Sequence, residues 1–238
     1  MTAGKLAANL ALICDCDGVL IDSETIAGAT IVRELEQRWP GTDVAAVVMP
    51  LLGFRTEHVL QSTASTLGRT LSTGEMETIH RTVQAAAIKA PMVDGIDAAL
   101  ANIPLMKACA SNSFSDYVSQ ILERTGLNRF FAERLFAANM VANPKPAPDV
   151  YLLAAQRMAV EPRRCLVVED SVAGATAAVV AGMTVLGYTG GTHNPEEQAS
   201  KLRGAGVKET FSHMKQLPGL TEEWIREMTF TPSASTAE

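Results

Sequence analysis

The stretch that most constrains this chain runs from Leu12 to Glu24, where a short apolar segment ends in acidic residues around a glycine. The apolar segment predicts a buried β-strand, and the glycine predicts a tight loop directly after it. Asp15 and Asp17 are two residues apart, so on an extended chain their side chains point to the same face. Open α/β sheets place their ligands at the carboxyl ends of their strands. Two carboxylates held there repel each other, and a divalent cation is the simplest way to relieve the repulsion.

Length and charge limit the partners that such a chain can have. With 238 residues, 47% of them hydrophobic, the chain can form one large domain with a smaller insert. Its formal charge of −6 argues against nucleic acid or an anionic membrane as the main partner. The uncharged segment 171–192 contains several glycines, and we interpret it as a helix followed by a strand rather than a membrane span. We therefore expect an acidic surface, with positive charge concentrated at one site if the substrate is an anion.

The cysteines do not form the pattern of a disulfide framework or a zinc site. All of them lie in apolar stretches that we interpret as core strands, where a free thiol behaves as a small buried hydrophobe. Unpaired cysteines are typical of a reducing compartment, so we expect a cytoplasmic protein. The four residues are Cys14, Cys16, Cys109 and Cys165.

Hydrophobic periodicity predicts an all-helical insert within an alternating α/β chain. Helical spacing begins near Ser23 and continues through residues 43–50, 55–67 and 74–90, with Thr73 as a plausible N-cap. No convincing strand occurs between Leu20 and Ile103. We therefore expect a doubly wound, mainly parallel core at residues 1–24 and 93–238, with a helical cap domain at 25–92.

The remaining elements alternate between strand and helix. Apolar runs predict the strands, and the turn residues between them mark helix ends. The tail from Thr229 is small, polar and unpatterned, which predicts disorder. The expected strands are 10–17, 105–110, 135–140, 165–168, 184–188 and one near residue 210, and the expected helices are 95–101, 114–124, 149–159, an alanine-rich one after 171, a polar one after 191 and one around 220–228.

Polar residues follow three of these strands, and a proline-rich loop carries a lysine. In a parallel sheet all of these loops emerge at one edge, where carboxylates, an ammonium group and hydroxyl and amide donors would suit a divalent cation and a phosphate group. Each feature alone also has an ordinary explanation: Ser111 as a helix N-cap, Lys145 as a surface charge, and the acids as a helix N-terminus. The residues are Asp15, Asp17, Ser111, Asn112, Lys145, Glu169 and Asp170.

Four segments, in this order, make the chain similar to the haloacid-dehalogenase-like hydrolases. They are DCDGVLIDSE at 15–24, Ser111-Asn112, KPAPD at 145–149, and EDSVAGATAAVVAGM at 169–183. The first and fourth are highly specific, and the resemblance covers nearly the whole chain. It is strongest to subfamily IA, in the group that contains β-phosphoglucomutase and 6-phosphogluconate phosphatase. It implies a Rossmann-like core with an inserted helical cap.

The resemblance also implies a role for each site residue. Asp15 would be the nucleophile, and Asp17 would protonate the leaving alcohol and then deprotonate the attacking water. Mg²⁺ would be held by the Asp15 carboxylate, the Asp17 backbone carbonyl and Asp170, with Glu169 close by. The transferring phosphoryl oxygens would be bound by Ser111, Asn112 and Lys145.

The insert is expected to close over the site and to supply specificity. Arg55 and His58 lie in a segment that resembles the family's substrate loop, and they are candidates for binding a sugar hydroxyl or carboxylate. A helix start with surface charges explains these two residues equally well.

The resemblance favours a Mg²⁺-dependent phosphomonoester hydrolase that acts on a small phosphorylated sugar, sugar acid or sugar alcohol, as a monomer or small homo-oligomer. A β-phosphoglucomutase is the alternative, but the mutase's characteristic His and its cap cations fall on Ala27, Leu52 and Thr56 here. A dehalogenase is a poor fit because Asp17 stands where those enzymes have an aromatic residue. A non-catalytic sugar-phosphate binder would be expected to lose Asp15, Asp17 or Lys145, and all three are present.

Overall fold

The computed structural model describes residues 9–51, 56–192 and 194–230, and the strands in this part form one six-stranded sheet. Every neighbouring pair of strands is parallel, so the predicted α/β fold with a parallel sheet is confirmed. The spatial order is β3-β2-β1-β4-β5-β6. The strands are β1 Ala11–Cys14, β2 Met106–Ser111, β3 Leu135–Ala137, β4 Cys165–Glu169, β5 Thr184–Tyr188 and β6 Glu209–Phe211.

Helices connect the strands and cover both faces of the sheet, as parallel connections require. Among the residues described, no helix has the length and apolar content needed to cross a bilayer. The helices are α1 Ser23–Arg38, α2 Ala45–Val48, α3 Thr56–Thr66, α4 Thr73–Ala87, α5 Ile96–Asn102, α6 Ser115–Thr125, α7 Asn128–Phe131, α8 Asp149–Met158, α9 Val172–Val180, α10 Pro195–Gly204 and α11 Leu217–Phe230.

Strand β1 lies at the centre of the sheet, between β2 and β4. Its four residues are fully buried, which explains why the sequence there is a continuous apolar run rather than an alternating one. The carboxyl ends of β1, β2 and β4 therefore lie side by side. This order brings the polar residues that follow the three strands to one point at the sheet edge.

The chain between β1 and β2 contains helices α1 to α5 and no strand within the residues described. Helices α1 to α4 pack around their own cluster of buried side chains, which includes Ile31, Leu35, Leu60 and Ile79. Where the chain leaves and re-enters the core, the two connecting segments pair: Asp22 N donates to Pro91 O (2.9 Å) and Val93 N to Leu20 O (3.0 Å). The domain boundaries expected at residues 24 and 93 stay a prediction.

Several local expectations were wrong. The N-cap of α4 is Ser72 rather than Thr73, because Ser72 and Glu75 form a reciprocal capping box. Strand β3 ends at Ala137 and a 3₁₀ turn follows it, and the short helix α7 was not expected at all. Helix α11 extends to Phe230, so the first two residues of the supposed disordered tail are helical.

Candidate active site

The predicted lysine lies at the centre of the site and is almost fully buried. Its Nζ donates to Asp15 Oδ1 and to Glu169 Oε1, both at 2.6 Å, and to the carbonyl oxygen of Ala110 at 2.9 Å. Burial alone would lower the pKa of Lys145, but the charges of Asp15 and Glu169 outweigh it and hold that pKa well above its usual value. The ammonium is therefore a permanent cation, fixed against the end of β1.

Glu169 has both carboxylate oxygens occupied. Oε1 accepts from Lys145 and from the Tyr151 hydroxyl (2.7 Å), and Oε2 accepts from the Ser171 backbone N (3.1 Å) and hydroxyl (2.9 Å). The residue has no exposed surface. Gly174 leaves room for it, because a Cβ there would lie 1.7 Å from Glu169 Oε1. Glu169 thus anchors Lys145, and its position among the acids is fixed by α9.

Asn112 binds the backbone of Lys145 at two points. Its Nδ2 donates to Lys145 O (3.1 Å), and its Oδ1 accepts from Lys145 N (2.8 Å). The amide predicted to contact phosphate therefore acts, in this structure, on the loop that carries the lysine. Ser111, the last residue of β2, lines the cavity beside it, and its Oγ accepts from Ser113 N at 3.0 Å. This contact lies within the turn that leaves β2, so Ser111 is not the cap of α6.

Asp17 also has both oxygens occupied, but by hydroxyl groups. Oδ1 accepts from the Tyr117 hydroxyl at 2.8 Å, and Oδ2 accepts from Ser113 Oγ at 2.9 Å. Tyr117 lies in the first turn of α6 and Ser113 in the loop before it. Asp17 is thereby turned toward the β2–α6 loop, while Asp15 faces Lys145.

The site holds more negative than positive charge. Burial, followed by the charge of Glu169, raises the pKa of Asp15 to about 7, although Lys145 opposes the shift. Burial and the nearby Glu24, Glu169 and Asp15 raise the pKa of Asp170 well above its usual range. Burial, then Asp22 and Asp17, raise the pKa of Glu24 to about 7. Protons or a further cation are needed to offset this excess of negative charge.

Three of the acids can reach one point. Asp15, Glu169 and Asp170 each offer a carboxylate oxygen within 4.8 Å of the others. Gly18 allows the approach: its φ is +80°, and a Cβ there would lie 1.9 Å from Asp170 Oδ2. The carboxylate of Asp17 lies outside this group. Oxygen-only donors with excess negative charge suit a hard divalent cation such as Mg²⁺.

The acids, the lysine and the β2–α6 loop line a cavity of about 190 Å³. Glu24, from the first turn of α1, closes one side of it. Within the described lining, Lys145 is the one cation. The complete described lining is Asp15, Asp17, Glu24, Ser111, Asn112, Ser113, Lys145, Asp170, Ser171 and Ala173.

The two residues proposed from the insert have different outcomes. Arg55 lies outside the described residues. His58 is exposed in the first turn of α3, its Nε2 is 3.4 Å from Ser62 Oγ, and it is not among the residues that line the cavity.

Sequence reasoning missed four participants: Ser113, Tyr117, Tyr151 and Glu24. Ser113 directly follows a recognised motif, and Glu24 ends one, so proximity to a motif was an available signal. The two tyrosines lie on helices with amphipathic spacing, where an aromatic residue is usually core, and no sequence signal separates them from packing residues.

Comparison with known proteins agrees with this geometry. The sequence model of the haloacid dehalogenase-like hydrolases matches residues 10–182. The chain is 28% identical over 212 residues to 6-phosphogluconate phosphatase of Escherichia coli, covering 88% of this chain and 93% of that protein. It is 30% identical over 177 residues to the fructose-1-phosphate phosphatase of the same organism, covering 72% and 92%.

A solved structure is similar over the same extent. A HAD family hydrolase from Deinococcus radiodurans, crystallised with bound phosphate and sodium, superposes with a TM-score of 0.78 at 28% identity, covering 92% of this chain and 98% of that one. Fold and site together define a phosphatase-type hydrolase with a parallel α/β core. The chain belongs to the haloacid dehalogenase-like hydrolases, and the resemblance stated from its motifs is confirmed.

Proposed function

We propose that this enzyme is a Mg²⁺-dependent phosphomonoester hydrolase that acts on a small phosphorylated sugar, sugar acid or sugar alcohol through an aspartyl-phosphate intermediate. The observation that carries the proposal is the buried contact between Lys145 Nζ and Asp15 Oδ1 at 2.6 Å, at the floor of a cavity lined by acids and hydroxyl groups. This contact fixes a carboxylate and a permanent cation at the same point, which is what phosphoryl transfer to a carboxylate requires.

In the first step, a carboxylate oxygen of Asp15 attacks phosphorus and the bond from phosphorus to the substrate's ester oxygen breaks. Asp17, in its protonated form, gives its proton to that oxygen and the alcohol leaves. The Lys145 ammonium and donors of the β2–α6 loop at Ser111 offset the charge on the transferring oxygens. Asn112 contributes by holding the backbone of Lys145.

In the second step, the ionised Asp17 accepts a proton from water as the water oxygen attacks phosphorus. The bond between phosphorus and the Asp15 oxygen breaks, and phosphate and the free carboxylate are formed. Asp17 is protonated again and ready for the next turnover. The two steps need one group that alternates between acid and base, beside a second that stays a nucleophile.

The residues present fit a divalent cation. Asp15 and Asp170, with Glu169 close to both, would hold it. Burial, and after it the neighbouring carboxylates, raise the pKa values of Asp15 and Asp170, so a further cation would stabilise their ionised forms. When bound, Mg²⁺ would neutralise charge on the phosphate oxygens and so reduce its repulsion by the carboxylates. The named activities of the two Escherichia coli relatives support a sugar or sugar-acid phosphate, and the phosphate bound to the Deinococcus radiodurans hydrolase supports an anion site.

The test is phosphate release from a panel of phosphorylated sugars, sugar acids, polyols and 4-nitrophenyl phosphate, with Mg²⁺ and with a chelator. We expect release that needs the metal and is abolished by Asp15→Asn, whereas Asp116→Asn, an exposed carboxylate in α6, keeps wild-type rates. Release that persists at the wild-type rate in Asp15→Asn would overturn the proposed nucleophile.

The same panel separates the mutase. Conversion of β-glucose 1-phosphate to the 6-phosphate in the presence of the bisphosphate, without phosphate release, would favour that alternative. The mutase's cap cations fall on Leu52 and Thr56 in this sequence, which supports hydrolysis because a mutase must hold phosphate at both ends of its intermediate. A cytoplasmic location remains part of the proposal, supported by four free buried thiols among the described residues. A monomer or small homo-oligomer is proposed with it.

A further inference from the structure

The carboxylate of Asp17 is held by two hydroxyl groups that no motif of the sequence marks. The Tyr117 hydroxyl lies 2.8 Å from Oδ1, and the Ser113 hydroxyl lies 2.9 Å from Oδ2. Burial, and then the charge of Asp17, raise the pKa of the Tyr117 phenol far above its usual value. The phenol therefore keeps its proton at every working pH.

Hydroxyl groups are suited to a carboxyl group that changes its protonation state during turnover. A hydroxyl can donate to an ionised oxygen and can accept from a protonated one. The Tyr117 and Ser113 pair can therefore hold Asp17 both as the acid of the first step and as the base of the second. A lysine or arginine at either position could only donate and would favour the ionised form alone.

Tyr117 and Ser113 also belong to the segment 111–117, whose first three residues line the cavity. Ser113 N donates to Ser111 Oγ at 3.0 Å. Asn112, between these two residues, forms two hydrogen bonds with the backbone of Lys145. Tyr117 lies in the first turn of α6, and its side chain packs partly against a cluster of buried residues that includes Leu12, Cys14 and Val118. The segment 111–117 thus fixes the acid–base group relative to the phosphoryl-binding groups.

We propose that Tyr117 is a positioning residue for Asp17, which together with Ser113 holds this carboxyl group where it can protonate the leaving oxygen. The inference rests on the proposed function, because it assigns Asp17 the acid–base role. Helix α6, through Tyr117, then sets the orientation of the Asp17 carboxyl group. Misplacement of a catalytic group by about 1 Å can cost roughly 100-fold in rate.

The experiment compares Tyr117→Phe with wild type on two leaving groups. One substrate is 4-nitrophenyl phosphate, whose leaving group needs little protonation, and the other is fructose 1-phosphate or 6-phosphogluconate, whichever wild type hydrolyses faster. Rapid-mixing kinetics give the rate of the first step separately from steady-state turnover. For the sugar substrate we expect this rate to fall roughly 10-fold or more in Tyr117→Phe.

For the aryl substrate we expect the first-step rate of Tyr117→Phe to stay within about twofold of wild type, because the nitrophenolate leaves without an acid. Steady-state turnover of the aryl substrate should still fall, since Asp17 is the base of the second step. Ser119→Ala removes a hydroxyl from the exposed side of the same helix, where it donates to Glu123 (3.3 Å), and should leave both rates unchanged. Equal loss on both leaving groups in the first step, or no loss on the sugar, would overturn the inference.

A double-mutant cycle tests whether Tyr117 acts through Asp17. Asp17→Asn should lower the first step on the sugar substrate by about 10²- to 10⁴-fold, the usual contribution of a general acid. Adding Tyr117→Phe should then change this rate less than twofold, because the group that it positions is already lost. Additive losses would contradict the inference. If wild type releases no phosphate from any substrate, it is the proposed function that fails.

Discussion

The buried contacts of Glu169 indicate how much stability the protein loses when this residue is replaced. Glu169→Gln removes one partner of the ion pair with Lys145 and converts one of two acceptor oxygens into a donor group. Whichever way the amide is oriented, its NH₂ faces a group that can only donate, because the Lys145 ammonium contacts one carboxylate oxygen and the Ser171 backbone N–H contacts the other. The site is fully buried, so water does not replace the lost partners.

Breaking one partner of a buried ion pair costs about 3–5 kcal/mol. The lower end is expected here because Lys145 keeps Asp15 and the Ala110 carbonyl. For a chain of this length each kcal/mol corresponds to about 2–4 °C in Tm, so a cost of about 3 kcal/mol gives an expected decrease of roughly 6–12 °C. The assay is thermal unfolding by circular dichroism in chelator.

Glu161→Gln is the matched control. Glu161 is also an acceptor at 2.6 Å, from Arg163, but the two side chains are 58% and 76% exposed. Solvent screening makes such a pair nearly neutral for stability, so no measurable change in Tm is expected. A decrease below about 3 °C for Glu169→Gln, or an equal decrease for both variants, would show that burial does not decide how much the ion pair stabilises the protein.

Three further predictions concern the same site. Gly174→Ala should destabilise the protein in the same unfolding assay, because the new Cβ would overlap Glu169, although alanine usually stabilises a helix relative to glycine by up to about 1 kcal/mol. The control is Gly74→Ala in α4, which has open space around it and should be neutral or stabilising. In chelator, Tm should fall as pH rises from about 4.5 to about 7, since carboxyl groups with raised pKa values favour the folded state only while protonated, and Glu24→Gln should reduce this slope. Mg²⁺ should raise the Tm of wild type at pH 8 by mass action, and Asp170→Asn should lose most of that increase; an unchanged increase would exclude Asp170 as a ligand.

The sheet could be predicted because its signals are local. Strand β1 is buried on both faces and reads as a continuous apolar run, and the helical period after Ser23 and the absence of strand patterns before Ile103 indicated the insert. The end of strand β3 could not be predicted, because the chain turns at Ala138, whose backbone N donates to the distant Ser113 O. Helix α7 is only four residues long, below the length at which periodicity is informative.

The site was predictable as a set of residues but not as a set of contacts. The order of motifs indicated that Asp15, Lys145 and Asp170 would meet, and the structure brings them together. The Asn112 amide binds the backbone of a residue 33 positions away, and Asp17 binds Tyr117, which is 100 positions away. Both contacts depend on the packing of separate loops. Contacts between residues so far apart produce no periodic or local pattern in the sequence, so only the folded structure reveals them.

The central claim, that Asp15 becomes phosphorylated, is tested most directly by acid quenching during turnover. Wild-type enzyme with Mg²⁺ and its fastest substrate would be quenched within milliseconds, digested, and the phosphorylated peptide located by mass spectrometry. We expect one phosphoryl group on Asp15 and no such peptide in Asp15→Asn. In Asp17→Asn with an aryl phosphate we expect a longer-lived phosphoryl group, because the base of the second step is missing. Full turnover with no covalent phosphate at any quench time, or a phosphoryl group on another residue, would contradict the account.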